Sequence, residues 1–386
     1  MAVASPLGSP SGIRLWLTRL MSGTAAHESA PTAVPAGTHA HPGWFGAVMS
    51  TAVLSVLAYQ ERTVWDAPWL SAVAVGLLIV TSVLALALAP RYARSLVRPG
   101  VVTAELGDPD AGSLLATVPA GILLLAAAWG TVGPLVIAAD AALAVDAVLA
   151  VIGGLLAVWV GMMWNTSPGR GSRGLAGVNG SWLIPPVCTM LVALAIAPLV
   201  TVDARAGAVL LLVAFAFLGA GLVLFVVVLA LLVARLVLHP DVPATLAPTM
   251  WIPLAPAGVI GIAAIRLTDG AIGIGLAEPS MRYAATAIAA LGFGFGLWWA
   301  LFAALDLARL RRRGGMAFHP GWWAFVFPPA ALLLSLIGIE ELFSSDYLRW
   351  VSGPLCLLLL VLWGYVAARS LPLMRRPRPR TTRTSG

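Results

Sequence analysis

Ten long apolar runs divide this sequence, and they constrain its fold more than any other feature. Each run is about 18 residues or longer, which is enough for an α-helix to cross the hydrocarbon core of a bilayer. Breaks rich in Pro, Gly or charged residues separate the runs, which fall near 43–60, 67–89, 113–138, 141–165, 180–201, 206–237, 246–267, 283–308, 320–342 and 348–371. The sequence therefore predicts an all-α polytopic membrane protein with ten transmembrane helices.

The composition excludes a water-soluble globule. Apolar residues make up 60% of the chain and charged residues only 10%, against roughly a quarter charged in an ordinary soluble domain. The net charge of +7 comes from 23 basic residues, all of them Arg, which cluster at the ends of the runs. This pattern is typical of membrane topology and of contact with anionic lipid headgroups, not of nucleic-acid binding. Cys188 and Cys356 lie inside apolar runs and are predicted to be small core residues.

The distribution of Arg also predicts the topology, because cytoplasmic loops are enriched in basic residues. With both termini in the cytoplasm, 18 of the 23 Arg lie on that side and the other five lie opposite. We expect a disordered cytoplasmic N-terminal tail over 1–40, a transmembrane channel or transporter domain over 41–371, and a basic cytoplasmic C-terminal tail over 372–386. The expected location is the cell (plasma) membrane.

An internal repeat relates the first run to the ninth. Residues 41–48 read HPGWFGAV and residues 319–326 read HPGWWAFV, at an offset of 278 residues. The odd-numbered runs also carry prolines at similar spacing, and the repeat aligns the last of them with Ser50. The predicted kinks are at Pro119, Pro185, Pro186, Pro253 and Pro328. The spacing predicts five helical hairpins in a quasi-fivefold arrangement.

The prolines also predict which helices are inside. Proline bends a helix because it removes a backbone donor and its ring presses on the preceding turn. The carbonyl groups that it frees need protein or water around them in a membrane. The odd helices are therefore predicted to surround a central pore, with the even helices outside, facing lipid and neighbouring subunits. The alternative is that proline is merely tolerated in membrane helices, which leaves its regular spacing in odd runs unexplained. Among the even runs, only Pro354 lies inside a run, close to its start.

Three stretches carry a resemblance to a known family. The first inner helix of that family is similar to residues 42–55, PGWFGAVMSTAVLS. Its W-x-x-P motif is similar to residues 181–197, SWLIPPVCTMLVALAIA, and its W-W-A-x-x-F-P signature to residues 321–330, GWWAFVFPPA. Over about residues 41–371 the chain resembles the tellurite-resistance/dicarboxylate transporter family, also called the voltage-dependent anion channel or slow-anion-channel family. That family includes bacterial tellurite-resistance proteins, fungal malate permeases, sulfite efflux pumps and plant guard-cell slow anion channels.

The resemblance implies a homotrimer in which every protomer has its own pore, formed by the five inner helices and plugged by a phenylalanine of the ninth span. The matching residue is Phe327, immediately before Pro328, and Phe325 is the fallback if the register differs. The doublets Pro185-Pro186 and Pro328-Pro329 depart from many relatives and imply sharper kinks. Considered without the resemblance, Phe327 has ordinary helix packing as an alternative role.

The inner helices carry no charge at their centres, so anion preference has to come from peptide dipoles, an Arg-rich rim and uncharged side chains. The candidate pore-lining residues are Met49, Ser50, Thr51, Thr117 and Thr249. Each odd helix would also present the positive end of its dipole to the cytoplasmic mouth. His41, His239 and His319 precede odd runs at this mouth, where they either add charge at low pH or cap the helix entry.

These features predict a membrane anion channel or transporter for small anions of the C4-dicarboxylate, sulfite, tellurite or halide/nitrate class. The alternative is a proton-coupled dicarboxylate or sulfite exporter, in which Asp140, Asp146 or Asp306 would titrate. An intramembrane enzyme is a third possibility, but the inner helices supply only hydroxyl groups. No nucleotide loop, metal-spaced His/Cys cluster or nucleophile elbow occurs, so we expect no enzyme activity, cofactor or metal. The expected partners are the anion, the bilayer and two further copies of the chain, with no nucleic acid.

Overall fold

The computed structural model describes residues 41–108, 112–167, 174–239, 242–312, 314–343 and 346–375. The predicted N-terminal tail, and the C-terminal tail beyond residue 375, lie outside these residues. In the described part, ten helices are long and apolar enough to cross a membrane. These spans one to ten are Pro42–Val64, Trp69–Arg94, Gly112–Leu135, Ala139–Thr166, Gly180–Leu199, Ala204–Leu238, Ala244–Gly273, Met281–Arg312, Pro320–Phe343 and Tyr347–Leu373. Every end agrees with the predicted run to within six residues, so the ten-helix prediction is confirmed.

Burial separates the odd spans from the even spans. In the odd spans, 67–83% of the most apolar stretch is buried, whereas in the even spans only 22–28% is buried. The remaining surface of the even spans is lined with exposed Leu, Val, Ile and Phe side chains, as lipid contact requires. The prediction that the odd spans are inside and the even spans outside is confirmed.

The inner spans pack against one another in a closed order. Each odd span contacts the even span that follows it, as in a hairpin, and it also contacts two other odd spans. Those contacts run from span one to three, five, seven and nine, and then return to span one. The odd spans therefore form one continuous inner layer. The quasi-fivefold symmetry of the five hairpins stays a prediction.

Every odd span begins as a 3-10 helix and continues as an α-helix. The 3-10 segments are Pro42–Trp44, Gly112–Ala116, Gly180–Leu183, Ala244–Trp251 and Pro320–Phe325. The α-helical parts are Phe45–Val64, Thr117–Val132, Ile184–Ile196, Leu254–Gly273 and Phe327–Phe343. Short 3-10 segments, Gly133–Leu135 and Ala197–Leu199, end spans three and five.

The even spans are single α-helices, and short elements lie in the connections. The five α-helices are Trp69–Leu96, Ala139–Thr166, Ala204–Leu238, Met281–Arg312 and Asp346–Arg375. A two-turn helix, Val101–Gly107, and a 3-10 segment, Gly174–Gly177, lie between spans. Besides Pro354, the proline that the sequence already places near the start of an even run, Pro90 and Pro372 also lie inside even helices, near their C-terminal ends.

Spans three, five, seven and nine change from 3-10 to α geometry close to their predicted prolines, so these prolines do not lie in the middle of an α-helix; the kinks themselves stay a prediction. Pro119, Pro185, Pro186 and Pro328 are the second or third residue of their α-helices, and Pro253 immediately precedes one. The first turn of an α-helix tolerates proline because its N–H groups have no partner within that helix. These prolines therefore mark where α-geometry begins.

Candidate functional site

Among the described residues, a pair of cavities lies between the inner spans, one toward each end of those helices. The N-terminal cavity has a volume of about 350 Å³ and is lined by the 3-10 segments of all five odd spans, through residues that include Gly43, Leu114, Ser181, Thr249 and Gly321. The C-terminal cavity has a volume of about 400 Å³ and is lined by the α-helical parts of the same spans, through residues that include Val56, Leu124, Leu194, Ile262 and Leu334. The 3-10 to α transitions therefore lie near the boundary between the cavities.

Phe327 occupies this boundary. Among the described residues that line the cavities, Phe327 alone contributes to both linings. It is the first residue of the α-helix in span nine, and only 6% of its surface is exposed. Phe327 therefore lies where the two cavities approach each other.

The fallback gate residue, Phe325, has a different environment. Its ring packs edge-on against Trp251 and Trp322, with ring centroids 5.8 Å and 5.6 Å apart. It lines neither of the two cavities. Of the two gate candidates, only Phe327 lines these cavities.

Three of the five candidate pore-lining residues, Met49, Thr117 and Thr249, do line the N-terminal cavity. The two hydroxyl groups are occupied, however. Thr117 Oγ1 donates to the carbonyl oxygen of Pro42 at 2.7 Å, and Thr249 Oγ1 donates to that of Leu246 at 2.6 Å. A hydroxyl group has a single proton to donate. Neither side chain can therefore hydrogen-bond an anion without giving up a backbone partner.

The other two candidates, Ser50 and Thr51, line neither of these cavities, and their place in the pore wall stays a prediction. Both are fully buried. Ser50 Oγ donates to the carbonyl oxygen of Trp323 at 3.2 Å, and Thr51 Oγ1 accepts from Trp363 Nε1 at 2.9 Å. These hydroxyl groups join span one to spans nine and ten.

The two histidines of the HPGW repeat have the same geometry. The Nδ1 atoms of His41 and His319 each accept a hydrogen bond from the backbone N–H two residues later, at 3.1 Å in both cases. Both residues line the N-terminal cavity. Burial lowers the pKa of both imidazoles below the ordinary value of 6.5, so near pH 7 they act as neutral caps and not as charges. His239 instead follows the last residue of span six.

The C-terminal cavity contains a charged residue that sequence reasoning placed outside the pore. Arg266 lines this cavity, and its Nη2 lies 3.6 Å from Glu341 Oε1. Glu341 also pairs with Arg282 at 3.1 Å, and Arg282 pairs with Asp269 at 3.0 Å. The signal was the position of Arg266 just inside the predicted run 246–267. The predicted run ends at residue 267, so Arg266 has the position of a charge at a helix end. In the structure, span seven continues to Gly273, six residues further, and this brings Arg266 inside the bundle.

The three candidate proton carriers have unlike surroundings. Asp140 lies in the first turn of span four, and Asp306 is half-buried on span eight. Asp146 is fully buried, and within the described structure neither of its carboxylate oxygens has a hydrogen-bond partner. Its Oδ2 lies against Gly130, which lines the C-terminal cavity, so closely that a Cβ there would collide with it. Of these three acids, Asp146 therefore lies against the wall of the C-terminal cavity.

The thiols of Cys188 and Cys356 are buried and unpaired with each other, as expected of small core residues. In the described ranges, no group of three His, Cys, Asp or Glu side chains is arranged to hold a metal ion.

Comparison with known proteins matches nearly the whole described region. A family model described as voltage-dependent anion channel matches residues 39–371. An uncharacterized transporter of Methanocaldococcus jannaschii is 28% identical over 329 residues, which are 84% of this chain and 90% of that protein. A second uncharacterized transporter of that organism is 27% identical over 189 residues, 48% of this chain and 53% of the relative. A sulfite efflux pump of Trichophyton rubrum is 25% identical over 348 residues, 85% of this chain and 89% of the pump.

Proposed function

We propose, from the premise that this chain belongs to the voltage-dependent anion channel family, that it conducts small anions along a path inside one protomer and that Phe327 gates this path. The observation that carries the proposal is the position of Phe327, whose side chain lines the two cavities on either side of it. An aromatic ring offers an anion no hydrogen bond in exchange for its water. Conduction therefore requires the ring to turn aside.

The walls of the path support an anion as its cargo. Five helices begin around the N-terminal cavity, and each helix start carries partial positive charge from its unpaired N–H groups. Beyond Phe327, the C-terminal cavity is the more polar of the two and contains Arg266. A cation would meet unfavourable potentials at both ends of this path. Described residues of the inner walls include no carboxylate that faces either cavity.

The cavity volumes support a small anion that carries part of its water. At about 30 Å³ per water molecule, volumes of 350 and 400 Å³ each hold roughly a dozen molecules. A halide, nitrate, sulfite or C4-dicarboxylate fits such a space. Because a relative is a sulfite efflux pump, sulfite is the first anion to test.

A proton-coupled exporter of dicarboxylate or sulfite is the second candidate function, and Asp146 is the observation that favours it. An ionisable group buried in a membrane helix is a candidate proton carrier. The carboxyl group of Asp146 has no hydrogen-bond partner within the described structure and lies behind the wall of the C-terminal cavity. Coupling would make anion movement depend on the pH gradient.

The proposed setting is the plasma membrane, with both termini in the cytoplasm and three copies of the chain in each assembly. The excess of Arg on the side of the termini supports this orientation, in which the N-terminal cavity opens to the cytoplasm. The trimer is supported by the family resemblance. A reporter fused after Gly386 that is active only outside the cytoplasm would overturn the orientation.

Purified protein in liposomes tests both candidate functions. Flux of chloride, nitrate, sulfite, malate and tellurite is measured with and without a pH gradient. We expect current that reverses at the anion equilibrium potential whatever the pH gradient. A reversal potential that moves with the pH gradient would favour the coupled exporter, and absence of flux for every anion would overturn the proposed function.

A further inference from the structure

Polar side chains from three inner spans converge on the C-terminal cavity. Tyr59 and Gln60 come from span one, Thr131 from span three and Arg266 from span seven, and all four line the cavity. All four are half-buried. Within the described structure, the side chains of Tyr59, Gln60 and Thr131 make no hydrogen bond. These three groups therefore differ from Thr117 and Thr249 in the N-terminal cavity, which donate to backbone carbonyls.

The chemistry of this set is that of an anion site. A phenol, a carboxamide and a hydroxyl group each provide hydrogen-bond donors, and a guanidinium provides five with a full positive charge. The planar guanidinium matches two oxygens of an oxyanion or a carboxylate at once. An additional cation lies close by, because the guanidinium of Arg62 stacks 4.2 Å above the ring of Tyr59.

The present partner of Arg266 holds it weakly. Its distance of 3.6 Å from Glu341 exceeds the usual 2.7–3.2 Å of an N–H···O hydrogen bond. Both side chains are 30% exposed, and ion pairs of that kind contribute little. Glu341 has a closer partner in Arg282, at 3.1 Å, so it stays paired when Arg266 turns to an anion.

We propose that Arg266, with Tyr59, Gln60 and Thr131, forms a binding subsite for a small oxyanion in the C-terminal cavity, and that the anion takes the place of Glu341 at Arg266. The subsite deepens the proposed function, on which it rests for its role in transport. An anion that has lost water at Phe327 regains hydrogen bonds there. Occupancy of the subsite then determines the anion concentration at which flux saturates.

Equilibrium binding of sulfite to the purified protein tests the subsite without any transport step. Binding is measured by titration calorimetry on wild type, Arg266→Gln, Thr131→Val and Glu341→Gln, each shown to be folded by its elution volume and thermal midpoint. We expect Arg266→Gln to raise the Kd about tenfold or more, and Thr131→Val, which keeps the side-chain shape, to raise it about threefold. Glu341→Gln removes the competitor of the anion, so the Kd falls.

Arg205→Gln is the matched control, because this exposed Arg begins span six at the same end of the bundle and lines neither cavity. A Kd that Arg266→Gln leaves within about twofold of wild type would refute the subsite. Three other results would also refute it: Arg205→Gln raises the Kd as much as Arg266→Gln does, Glu341→Gln leaves the Kd unchanged, or wild type shows no detectable binding of sulfite.

Flux of sulfite through liposomes containing the same variants separates this proposal from the proposed function. Binding that depends on Arg266 in a protein that conducts no anion overturns the proposed function and leaves the subsite standing. If the protein conducts sulfite but its Kd for sulfite does not depend on Arg266, the subsite is overturned and the proposed function stands. If both proposals hold, flux by Arg266→Gln saturates at a higher sulfite concentration than flux by wild type.

Discussion

Replacing Phe327 by Ala truncates the one described residue that belongs to both cavity linings, and on the proposed gating it should raise anion flux. In the folded protein 6% of this residue is exposed. Turning its ring into a cavity uncovers on the order of 50–100 Å² of apolar surface, which at roughly 25 cal/mol per Å² costs about 1.3–2.5 kcal/mol. The conformation with the ring turned aside is then adopted by about one wild-type protomer in ten to one in seventy. The expected increase in flux is therefore roughly tenfold to seventyfold.

The assay is the initial rate of nitrate or sulfite uptake by liposomes, divided by the amount of folded protein. The normalisation matters because truncating a buried Phe typically costs about 3 to 5 kcal/mol of stability. Phe325→Ala is the matched control, because it removes the same ring two residues earlier, between Trp251 and Trp322. It should lower stability without raising the normalised flux.

Two results would refute the reasoning about Phe327. If the normalised flux of Phe327→Ala equals that of wild type, the ring is not the barrier. If Phe325→Ala raises flux and Phe327→Ala does not, the barrier lies at the fallback position. Phe327→Leu provides an intermediate test, because a smaller side chain at the same place should raise flux by less than Ala does.

The remaining predictions concern the helix caps, a close helix contact and the buried acid. His319→Ala should lower stability by about 1 kcal/mol, whereas His319→Asn keeps an acceptor for the backbone N–H, as thermal unfolding will show. Because burial lowers the pKa of His319 below 6.5, the unfolded chain binds protons more readily, so stability should fall as the pH drops through 6.5, and less so in His319→Asn. Gly258→Ala should prevent folding because its Cβ would collide with the Ala331 backbone. Gly294→Ala should fold normally because a Cβ there has no neighbour within 4 Å. The yield of protein with the wild-type elution volume distinguishes the two. Asp146→Asn should leave the reversal potential unchanged, and a change would favour proton coupling.

Span positions followed from sequence because one physical requirement, the thickness of the bilayer, fixes the length of an apolar helix. The division into inner odd spans and outer even spans followed from the prolines. They lie where the α-helices of the inner spans begin, however, and not in the middle of those helices. A sequence does not distinguish a proline in the first α-turn from one inside a helix unless the start of that helix is known. The 3-10 segment Ala244–Trp251, for example, ends just before Pro253, and its apolar composition gives no sign of that end.

The sequence alone also does not show which side chains of an inner helix line a cavity. Met49, Ser50 and Thr51 are consecutive, so in a helix their side chains point about 100° apart. Met49 lines the N-terminal cavity, and the other two contact neighbouring spans. Knowing that span one is an inner helix does not say which of the three faces the path, because the helix has inner neighbours on both sides.

In the proposed path, the two cavities divide the task of favouring an anion without placing a charge in the middle of the bundle. The N-terminal cavity offers helix starts, while its Thr117 and Thr249 hydroxyl groups are committed to backbone carbonyls. A dipole field of this kind attracts anions without binding them tightly. The C-terminal cavity offers donors that have no partner in the described structure and an Arg that is loosely held. Conduction requires sites that are neither repulsive nor too tight, and a weak field before the ring with a stronger site after it meets both conditions. In the proposed path, the loss of water at Phe327 is compensated on the far side by the side-chain donors of Tyr59, Gln60, Thr131 and Arg266.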